Sequence, residues 1–240
     1  MTEVTETVTA ETLPEDMRAT LIDLCEQRAL TYGLLSRLYR VEVDEAFYTD
    51  LCQTSFPAKT GNDLIDKGYR NIALYCAGHG NDALLDLAKD FVKVFIGHGN
   101  NAYSAAYPFE SVYTSEKRLM MQEARDELLG TYAQAGLALG DTWHDPEDHI
   151  ALLLEYMGIM STRTKEALEA GEDDTALSLL ADQRAFLQRH IIGWVPMLTA
   201  DMERFAQTDF YRGLAQLTLG YVQEDKAFLT SIIVEENVEK

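Results

Sequence analysis

The sequence predicts an all-α fold, a single-domain helical bundle of about nine or ten helices with no sheet. Leu, Ala, Glu, Asp and Met are frequent, whereas only five prolines and fifteen glycines occur in 240 residues. The frequent residues favour helix, and apolar residues recur at helical rather than alternating spacing. No repeat, linker or low-complexity insert divides the chain, and its length is enough to bury one core.

The helical domain is predicted to span residues 12–240, after a disordered tail of residues 1–11 that is rich in Thr and Glu. The first helix begins with a capping-box pattern, in which Thr12 is the cap and Glu15 lies three residues later. Apolar residues at helical spacing continue as far as Tyr39, so one face of this helix is expected to pack on the core.

Three more helices are predicted in the first half of the chain. They are residues 44–53 with Asp44 as the cap, residues 63–76 with Gly78 at the end, and a helix that starts at Asn81 or Asp82. The tetrapeptide Gly-His-Gly-Asn occurs twice, at 78–81 and 97–100. Neither copy follows a strand or carries the Lys and Ser/Thr of a phosphate-binding loop. Both are therefore interpreted as glycine-containing helix ends.

The second half of the chain opens with a long connector, residues 97–112, and a helix over residues 113–135. The next helix is predicted to start with Asp145 as the N-cap and Pro146 at the first helical position, because Asp accepts free N–H groups and Pro lacks one. A later helix is expected to be kinked at Pro196.

The charge of the chain limits its possible partners. Forty acidic residues stand against twenty basic ones, for a net charge of −20. Nucleic acids and anionic membranes attract positive surfaces, so neither is an expected partner. No apolar run of about 18 residues is present, and stable membrane insertion is not expected. The amino terminus lacks the apolar core of a signal peptide, so a cytoplasmic location is expected.

The cysteines indicate neither a metal site nor a redox pair. Cys25, Cys52 and Cys76 are odd in number and widely spaced, and no C-x-x-C sequence occurs. A reducing compartment fits this usage.

One stretch, residues 108–160, contains the polar residues of greatest interest. Glu147 and Asp148 are expected in the first turn of the helix that starts at Pro146, where carboxylates are favoured by the helix dipole. His149 follows them directly. Two carboxylates and an imidazole are therefore expected to lie together at the start of a helix.

The same stretch resembles the TorD/DmsD family of cytoplasmic chaperones for molybdenum-containing reductases. The resemblance is carried by the sequence Pro-Phe-Glu-Ser-Val-Tyr at 108–113 and by Pro146-x-Asp148-His149, followed by Glu-Tyr-Met at 155–157. Three weaker patterns agree with it: R-x-x-x-Y-x-x-L-x-x-L-Y from Arg28, L-x-x-D-F-x-x-x-F-x-G from Leu87 and F-L-x-x-H-I-x-x-W-x-P from Phe186. The resemblance covers roughly residues 25–225.

The resemblance implies a chaperone without catalytic turnover. Its partners would be the twin-arginine signal peptide and the immature catalytic subunit of a molybdopterin oxidoreductase, and it would assist cofactor insertion and proofreading of export. Either a monomer or a homodimer is compatible with the family. No cofactor is expected, although guanine nucleotide binding is associated with some relatives. The tryptophans often found before the Pro-Phe-Glu-Ser-Val-Tyr motif are absent, so peptide specificity does not carry over.

The resemblance and the residue chemistry together give a candidate peptide site. Glu147 and Asp148 are expected to hold the leader arginines at a partly exposed position, with His149 orienting the acid or donating to a peptide carbonyl. Aromatic residues are expected to line a groove for the apolar stretch of the leader; Tyr103 is a further aromatic candidate there. The predicted peptide-binding residues are Pro146, Glu147, Asp148, His149, Tyr107, Pro108, Phe109, Glu110, Ser111 and Tyr113.

Alternatives remain open for several of these residues. His149 and Asp148 would be the acid and base of a hydrolase or nucleotide-binding enzyme, although no nucleophile motif such as G-x-S-x-G is present. The acids would otherwise serve only as helix caps. His190 is expected to be a core histidine bonded to a distant backbone group, with Trp194 also in the core. Glu155 is expected to be buried and paired with Arg118 or Arg125.

Overall fold

The computed structural model describes residues 13–78, 80, 82–97, 104–115 and 123–232. Within these ranges the chain forms ten α-helices and one π-helical turn, so the prediction of an all-α bundle is confirmed. The helices are α1 (Glu15–Arg40), α2 (Glu45–Gln53), α3 (Asp63–Gly78), α4 (Ala83–Phe91, continued by the π-helical turn Val92–Ile96), α5 (Glu110–Thr114), α6 (Glu123–Gln134), α7 (Ile150–Glu169), α8 (Asp173–His190), α9 (Val195–Phe205) and α10 (Asp209–Ile232). The predicted tail, residues 1–11, lies outside the described residues.

Two long helix pairs form the frame of the bundle. Helix α1 packs along α7, which also contacts α8, and α3 packs along α10, which also contacts α9. The second pair is unusually close because small residues face each other. A Cβ atom at Gly68 would lie 2.7 Å from Cβ of Leu217, and one at Gly213 would lie 2.8 Å from the carbonyl oxygen of Gly68. Any larger residue at these positions would push α3 away from α10.

Large aromatic side chains fill the space between the pairs. The largest fully buried side chains are those of Trp194, Tyr32, Tyr39, Tyr75, Tyr211 and Phe210. The rings of Tyr39, Phe91 and Tyr211 surround Phe95 in edge-on contacts. The core positions predicted for His190 and Trp194 are confirmed, since both side chains are buried. None of the described helices is both long enough and apolar enough to cross a bilayer.

The start of α1 differs from the predicted capping box. Pro14 occupies the N-cap position and makes no side-chain cap, while Thr12 lies outside the described residues. The chain is held there by Asp173, whose Oδ2 accepts from the N–H of Leu13 at 2.9 Å and from Nη2 of Arg18 at 2.7 Å. A carboxylate distant in sequence therefore holds the described start of α1.

The next three helices follow the prediction closely. Asp44 caps α2 by accepting from the N–H of Phe47 at 2.9 Å, and α3 ends at Gly78. Helix α4 begins after Asp82, which makes no side-chain cap, whereas Asn81 lies outside the described residues. Gly97 follows the π-helical turn with φ of 73°, the left-handed conformation expected of a glycine helix end.

Two predicted elements in the middle of the chain differ from the structure. The predicted connector 97–112 already contains the start of α5 at Glu110, and the helix predicted over 113–135 is represented by α5 and the separate α6. Residues 98–103 and 116–122 lie outside the described residues.

Pro196 does not kink a helix as predicted: α8 ends at His190, and Pro196 lies in the first turn of α9. Proline is well suited to this position because its missing N–H would have no partner there.

Two cysteines that are far apart in sequence are neighbours in the fold. The packing of α2 on α3 places Sγ of Cys52 at 4.0 Å from the carbonyl oxygen of Cys76, and both thiols are free. Burial raises the pKa of Cys76 to about 12.

A buried ion pair joins α1 to α10. Arg28 donates from Nε and Nη2 to the two carboxylate oxygens of Asp225, at 2.6 and 3.0 Å. Tyr32, one turn later on α1, donates to the same carboxylate at 2.5 Å. The R-x-x-x-Y pattern of the sequence therefore has a structural reason, because both side chains converge on one buried acid.

We expect Asp225→Asn to lower the free energy of unfolding by about 3–5 kcal/mol, because the charge of Arg28 would remain buried without its counter-ion. Urea denaturation followed by circular dichroism measures this. The matched control is Glu127→Gln, which neutralises the carboxylate of an exposed pair with Arg189 and should leave stability almost unchanged. Equal losses in the two variants would contradict a special role for the buried pair.

Candidate functional site

The predicted site residues lie where two non-helical segments pair. The N–H of Glu110 donates to the carbonyl of Asp148 at 3.0 Å, and the N–H of Ile150 donates to the carbonyl of Pro108 at 2.8 Å. These bonds form an isolated antiparallel bridge between Phe109 and His149. We call this pairing the bridge. It brings together the two sequence motifs, 108–113 and 146–149, that suggested a common site.

The bridge also places the start of α7 later in the chain than predicted. The helix begins at Ile150, so the predicted helix start at Asp145 and Pro146 is wrong. Residues 146–149 form a turn in which the N–H of His149 donates to the carbonyl of Pro146 at 3.2 Å. The carbonyl of Asp148 accepts from Glu110 and His149 is extended, so residues 146–149 precede the helix and α7 starts at the bonded Ile150.

His149 is the N-cap of α7. Its Nδ1 accepts from the N–H of Ala151 at 3.1 Å, which requires this nitrogen to be unprotonated. Burial, and secondarily the charge of Arg40, lowers the pKa of His149 to about 3. The ring packs edge-on against Phe109 and Trp143, with centroids 5.0 and 5.3 Å away. His149 is therefore a neutral structural residue at physiological pH.

Asp148 lies inside the protein and not at a partly exposed site as predicted. Its side chain is buried, with a relative exposure of 0%. Oδ2 accepts from the N–H of Ser111 at 2.9 Å, which adds a third connection between the two motifs. Oδ1 of Asp148 and Oγ of Ser111 are also buried, and neither has a hydrogen-bond partner within the described part of the chain. The structure thus gives Asp148 the role of a buried acceptor.

Glu147 already has an arginine of its own. Arg125 donates to it from Nη2 at 3.0 Å and also from Nε. These hydrogen bonds lower the pKa of Glu147. Tyr132 donates to the backbone carbonyl of the same residue at 3.2 Å, so Glu147 is fixed from two sides.

Glu110 and His190 form a second buried connection. Nδ1 of His190 lies 3.2 Å from Oε2 of Glu110. The partner of His190 is therefore a carboxylate, and the predicted backbone partner is wrong. Burial raises the pKa of Glu110, and the hydrogen bond from His190 opposes this shift. The pair attaches α5 to the end of α8.

The predicted aromatic residues pack largely against the protein itself. Phe109 is buried against His149. The half-buried ring of Tyr113 stacks on Trp194 with centroids 5.6 Å apart, and its hydroxyl donates to Asp201 at 3.2 Å. The hydroxyl of Tyr107 lies 3.2 Å from that of Ser104. Tyr103 lies outside the described residues.

A groove opens beside the bridge, between the end of α1, helix α7 and the segment that joins α6 to the bridge. Its cavity has a volume of about 480 Å³. We call it the Trp143 groove. It is lined by Arg40, Val41, Tyr132, Leu137, Ala138, Leu139, Gly140, Thr142, Trp143, His144, Asp145, Leu152, Glu155, Tyr156 and Ile159. None of the ten predicted peptide-binding residues is among them, although Asp145 directly precedes the predicted set.

The groove combines an apolar wall with polar groups at its mouth. Leu137, Leu139, Trp143 and Ile159 supply apolar surface. The Nε1 of Trp143 is buried and has no hydrogen-bond partner in the described residues. The sequence offered one indication of this surface, the apolar run Leu-Ala-Leu at 137–139 outside any helix.

Glu155 also lies in the groove, and its predicted environment is wrong. Its side chain is 42% exposed and pairs with Arg40 of α1. Arg125 is bound to Glu147 instead, and Arg118 lies outside the described residues. The guanidinium of Arg40 also lies over the ring of Trp143, with Cζ 5.4 Å from the centroid.

The described residues contain no group of three His, Cys, Asp or Glu side chains that could hold a metal ion. The groove offers apolar contact along its wall and the carboxylates of Glu155 and Asp145 at its mouth.

Comparison with known proteins identifies relatives across most of the chain. A family model described as nitrate reductase delta subunit matches residues 62–200. The chaperone protein TorD of Vibrio parahaemolyticus is 28% identical over 210 residues, which is 85% of this chain and 95% of the relative. The protein of the same name from Vibrio cholerae serotype O1 is 26% identical over 220 residues, 88% of this chain and 96% of the relative. That of Shewanella sp. strain MR-4 is 28% identical over 230 residues, 88% and 98% respectively.

We expect Asp148→Ala to lower the free energy of unfolding by about 1–3 kcal/mol, because the N–H of Ser111 would lose its acceptor. Asp148→Asn keeps an oxygen in place and should lose less. Urea denaturation compares both with Asp145→Ala, which changes an exposed acid and should have little effect. If Asp148→Ala were as stable as Asp145→Ala, the bond to Ser111 would not matter for folding.

The low pKa of His149 predicts a pH dependence of known sign. Unfolded His149 binds a proton below its ordinary pKa of 6.5, whereas the folded form stays neutral until about 3. Protonation therefore favours unfolding, and this contribution to stability is lost as the pH falls from about 6.5 towards 3, by about 1.4 kcal/mol per pH unit.

The variant His149→Asn isolates this contribution, because Asn is a good N-cap and does not titrate. Stability measured by urea denaturation between about pH 7 and pH 5 should fall less steeply in the variant than in the wild type. Parallel curves would mean that His149 has an ordinary pKa in the folded protein.

Proposed function

The chain belongs to the nitrate reductase delta subunit family, that of the TorD/DmsD chaperones, and from this we propose that it is a molybdoenzyme chaperone, not an enzyme. Its proposed client is the immature catalytic subunit of a molybdopterin oxidoreductase. We propose that it binds the twin-arginine signal peptide of this subunit in the cytoplasm, assists cofactor insertion and delays export until insertion is complete.

The proposal that the protein binds a leader peptide rests on the composition of the Trp143 groove. A twin-arginine leader offers two guanidinium groups followed by an apolar stretch. The groove offers Glu155 and Asp145 at its mouth and Leu137, Leu139 and Trp143 along its wall. Carboxylates bind guanidinium with two parallel hydrogen bonds, and apolar walls bind an apolar segment. The chemistry of the groove thus matches that of the leader in both parts.

We propose that the ten residues predicted from the sequence support the Trp143 groove and do not line it. The bridge and the Asp148–Ser111 bond fix residues 146–149 directly after the groove residues Trp143 and Asp145. His149 contacts the ring of Trp143 on the side of the protein interior. We therefore assign Asp148, His149 and Ser111 to positioning the groove wall.

The net charge of −20 supports the same partner. A strongly acidic protein attracts a basic peptide over distances of about a Debye length, roughly 8 Å at physiological salt. This attraction accelerates encounter and decreases with added salt. It does not select one basic peptide over another, so selection depends on the groove.

The alternative enzyme would use His149 and Asp148, and both are committed to other contacts. Nδ1 of His149 accepts the N–H of Ala151, and Oδ2 of Asp148 accepts that of Ser111. A general base needs a free lone pair within reach of a substrate, and the unpartnered Oδ1 of Asp148 and the ring of His149 are both buried. No observation in the described residues favours hydrolysis or a bound guanine nucleotide.

Calorimetric titration with a synthetic leader peptide, which carries two consecutive arginines and an apolar stretch, tests the proposal. We expect binding to the wild type, weakened about tenfold by Leu139→Asn, because a leucine contact with the apolar stretch is lost. Leu139 is 37% exposed, so its replacement should leave the fold intact.

Leu85→Asn is the matched control, since Leu85 is 54% exposed on α4 and does not line the groove. Its affinity should equal that of the wild type. Absence of binding by the wild type would overturn the proposed function, and equal losses in the two variants would place the leader elsewhere on the surface.

A further inference from the structure

Arg40 already occupies a guanidinium-binding position in the Trp143 groove. It pairs with the carboxylate of Glu155, and its Cζ lies 5.4 Å from the ring centroid of Trp143. A carboxylate combined with an aromatic face is the arrangement with which proteins bind arginine side chains. The groove that we assign to an arginine-containing peptide therefore has a complete arginine site, filled by an arginine of the protein itself.

The contact of Arg40 with Glu155 is one that can open. The two side chains are 35% and 42% exposed, and exposed ion pairs contribute little to stability because water competes for both charges. Arg40 and Glu155 line both the Trp143 groove and a second cavity of about 310 Å³ between α1 and α7. A Cβ atom added at Gly33, in the wall of this second cavity, would meet nothing within 4 Å. The side chain of Arg40 thus has open space to move into.

We propose that Arg40 is a placeholder, and that an arginine of the bound leader displaces it from Glu155 and Trp143. The proposal rests on the leader binding proposed above and names the residues that recognise guanidinium. In this exchange one arginine replaces another, so Glu155 is not left unpaired. Asp145 lines the same groove and makes no ion pair within the described residues, so it is the acid available to the second leader arginine.

The same exchange is not available at Glu147. Arg125 holds that carboxylate with two hydrogen bonds, and the Glu147 side chain is only 13% exposed. Glu147 also lies outside the lining of the groove. Glu155 is therefore the acid at which an incoming arginine can compete with a resident one.

The placeholder makes a prediction of unusual sign: removal of a protein side chain at the binding site should strengthen binding. Arg40→Gln should bind the synthetic leader about two- to fivefold more tightly than the wild type, because the competing contact is gone. Glu155→Gln should bind about tenfold more weakly. In the double variant, the gain from Arg40→Gln should disappear.

Arg37→Gln is the control for net charge. Arg37 lies one turn before Arg40 on α1, pairs with the carboxylate of Asp44, and lies over the ring of Phe47 with Cζ 4.6 Å from its centroid. Like Arg40, it pairs with a carboxylate and lies over an aromatic ring, but it does not line the Trp143 groove. Any gain that arises only from removing a positive charge will therefore be equal in Arg37→Gln and Arg40→Gln.

Calorimetry with the leader and with a copy whose arginines are replaced by glutamine completes the test. Support requires a gain in Arg40→Gln that exceeds the gain in Arg37→Gln and is absent with the glutamine copy. Equal gains, or weaker binding by Arg40→Gln, would overturn the placeholder and leave leader binding intact. Failure of every variant to bind the leader would overturn both proposals.

Discussion

The pairing of residues 108–110 with residues 148–150 is the constraint on which the candidate site depends. Two backbone hydrogen bonds and the Asp148–Ser111 bond join segments 37 residues apart. Burying a carboxylate is costly unless its oxygens find donors, so Asp148 stabilises the fold only while Ser111 lies opposite it. The bridge in turn sets the first residue of α7 and makes His149 its cap. Trp143 packs on His149, and the groove wall follows from that contact. One local pairing therefore determines the position of the wall residues Trp143, His144 and Asp145.

In this protein of net charge −20, two of the acids near the site are paired with arginines of the same chain. Glu147 pairs with Arg125 and Glu155 with Arg40, while Asp173 pairs with Arg18 at the start of α1. These pairs differ in exposure, and exposure decides how readily water or a ligand competes for them. The buried Arg28–Asp225 pair is a fixed part of the frame, whereas the Arg40–Glu155 pair is accessible to solvent. Long-range attraction by the whole acidic surface and the local recognition that we propose at Glu155 therefore have separate origins.

The helical periodicity of the sequence was enough to predict the fold, and local capping chemistry was enough at Asp44. Local capping chemistry gave the wrong helix start at Asp145 and Pro146, where backbone pairing with a distant segment overrides the residue pattern of a helix start. The predicted cap Thr12 lies outside the described residues, and the described start of α1, with Pro14 as its N-cap, is held by Asp173. The two motifs around 108–113 and 146–149 were rightly expected to share one region, yet their burial could not be read from residue type, because Asp148 is polar and still fully enclosed. The groove was missed for a similar reason: Arg40, Trp143 and Glu155 meet only when α1 packs on α7.

The location of Arg40 at the end of α1 explains how a resident arginine can serve at a binding site without destabilising it. The last turn of a helix has free carbonyl groups and the negative end of the helix dipole, both of which favour a cation. An arginine displaced from Glu155 would therefore remain near favourable negative groups at the end of its own helix. The resident arginine also affects selectivity. A leader must offer a group that binds Glu155 and the Trp143 ring at least as well as guanidinium does, and lysine lacks the planar fork that stacks on a ring and bonds a carboxylate twice. Under the proposed exchange, competition with Arg40 would therefore favour arginine over lysine, a distinction that the negative charge of the surface does not make.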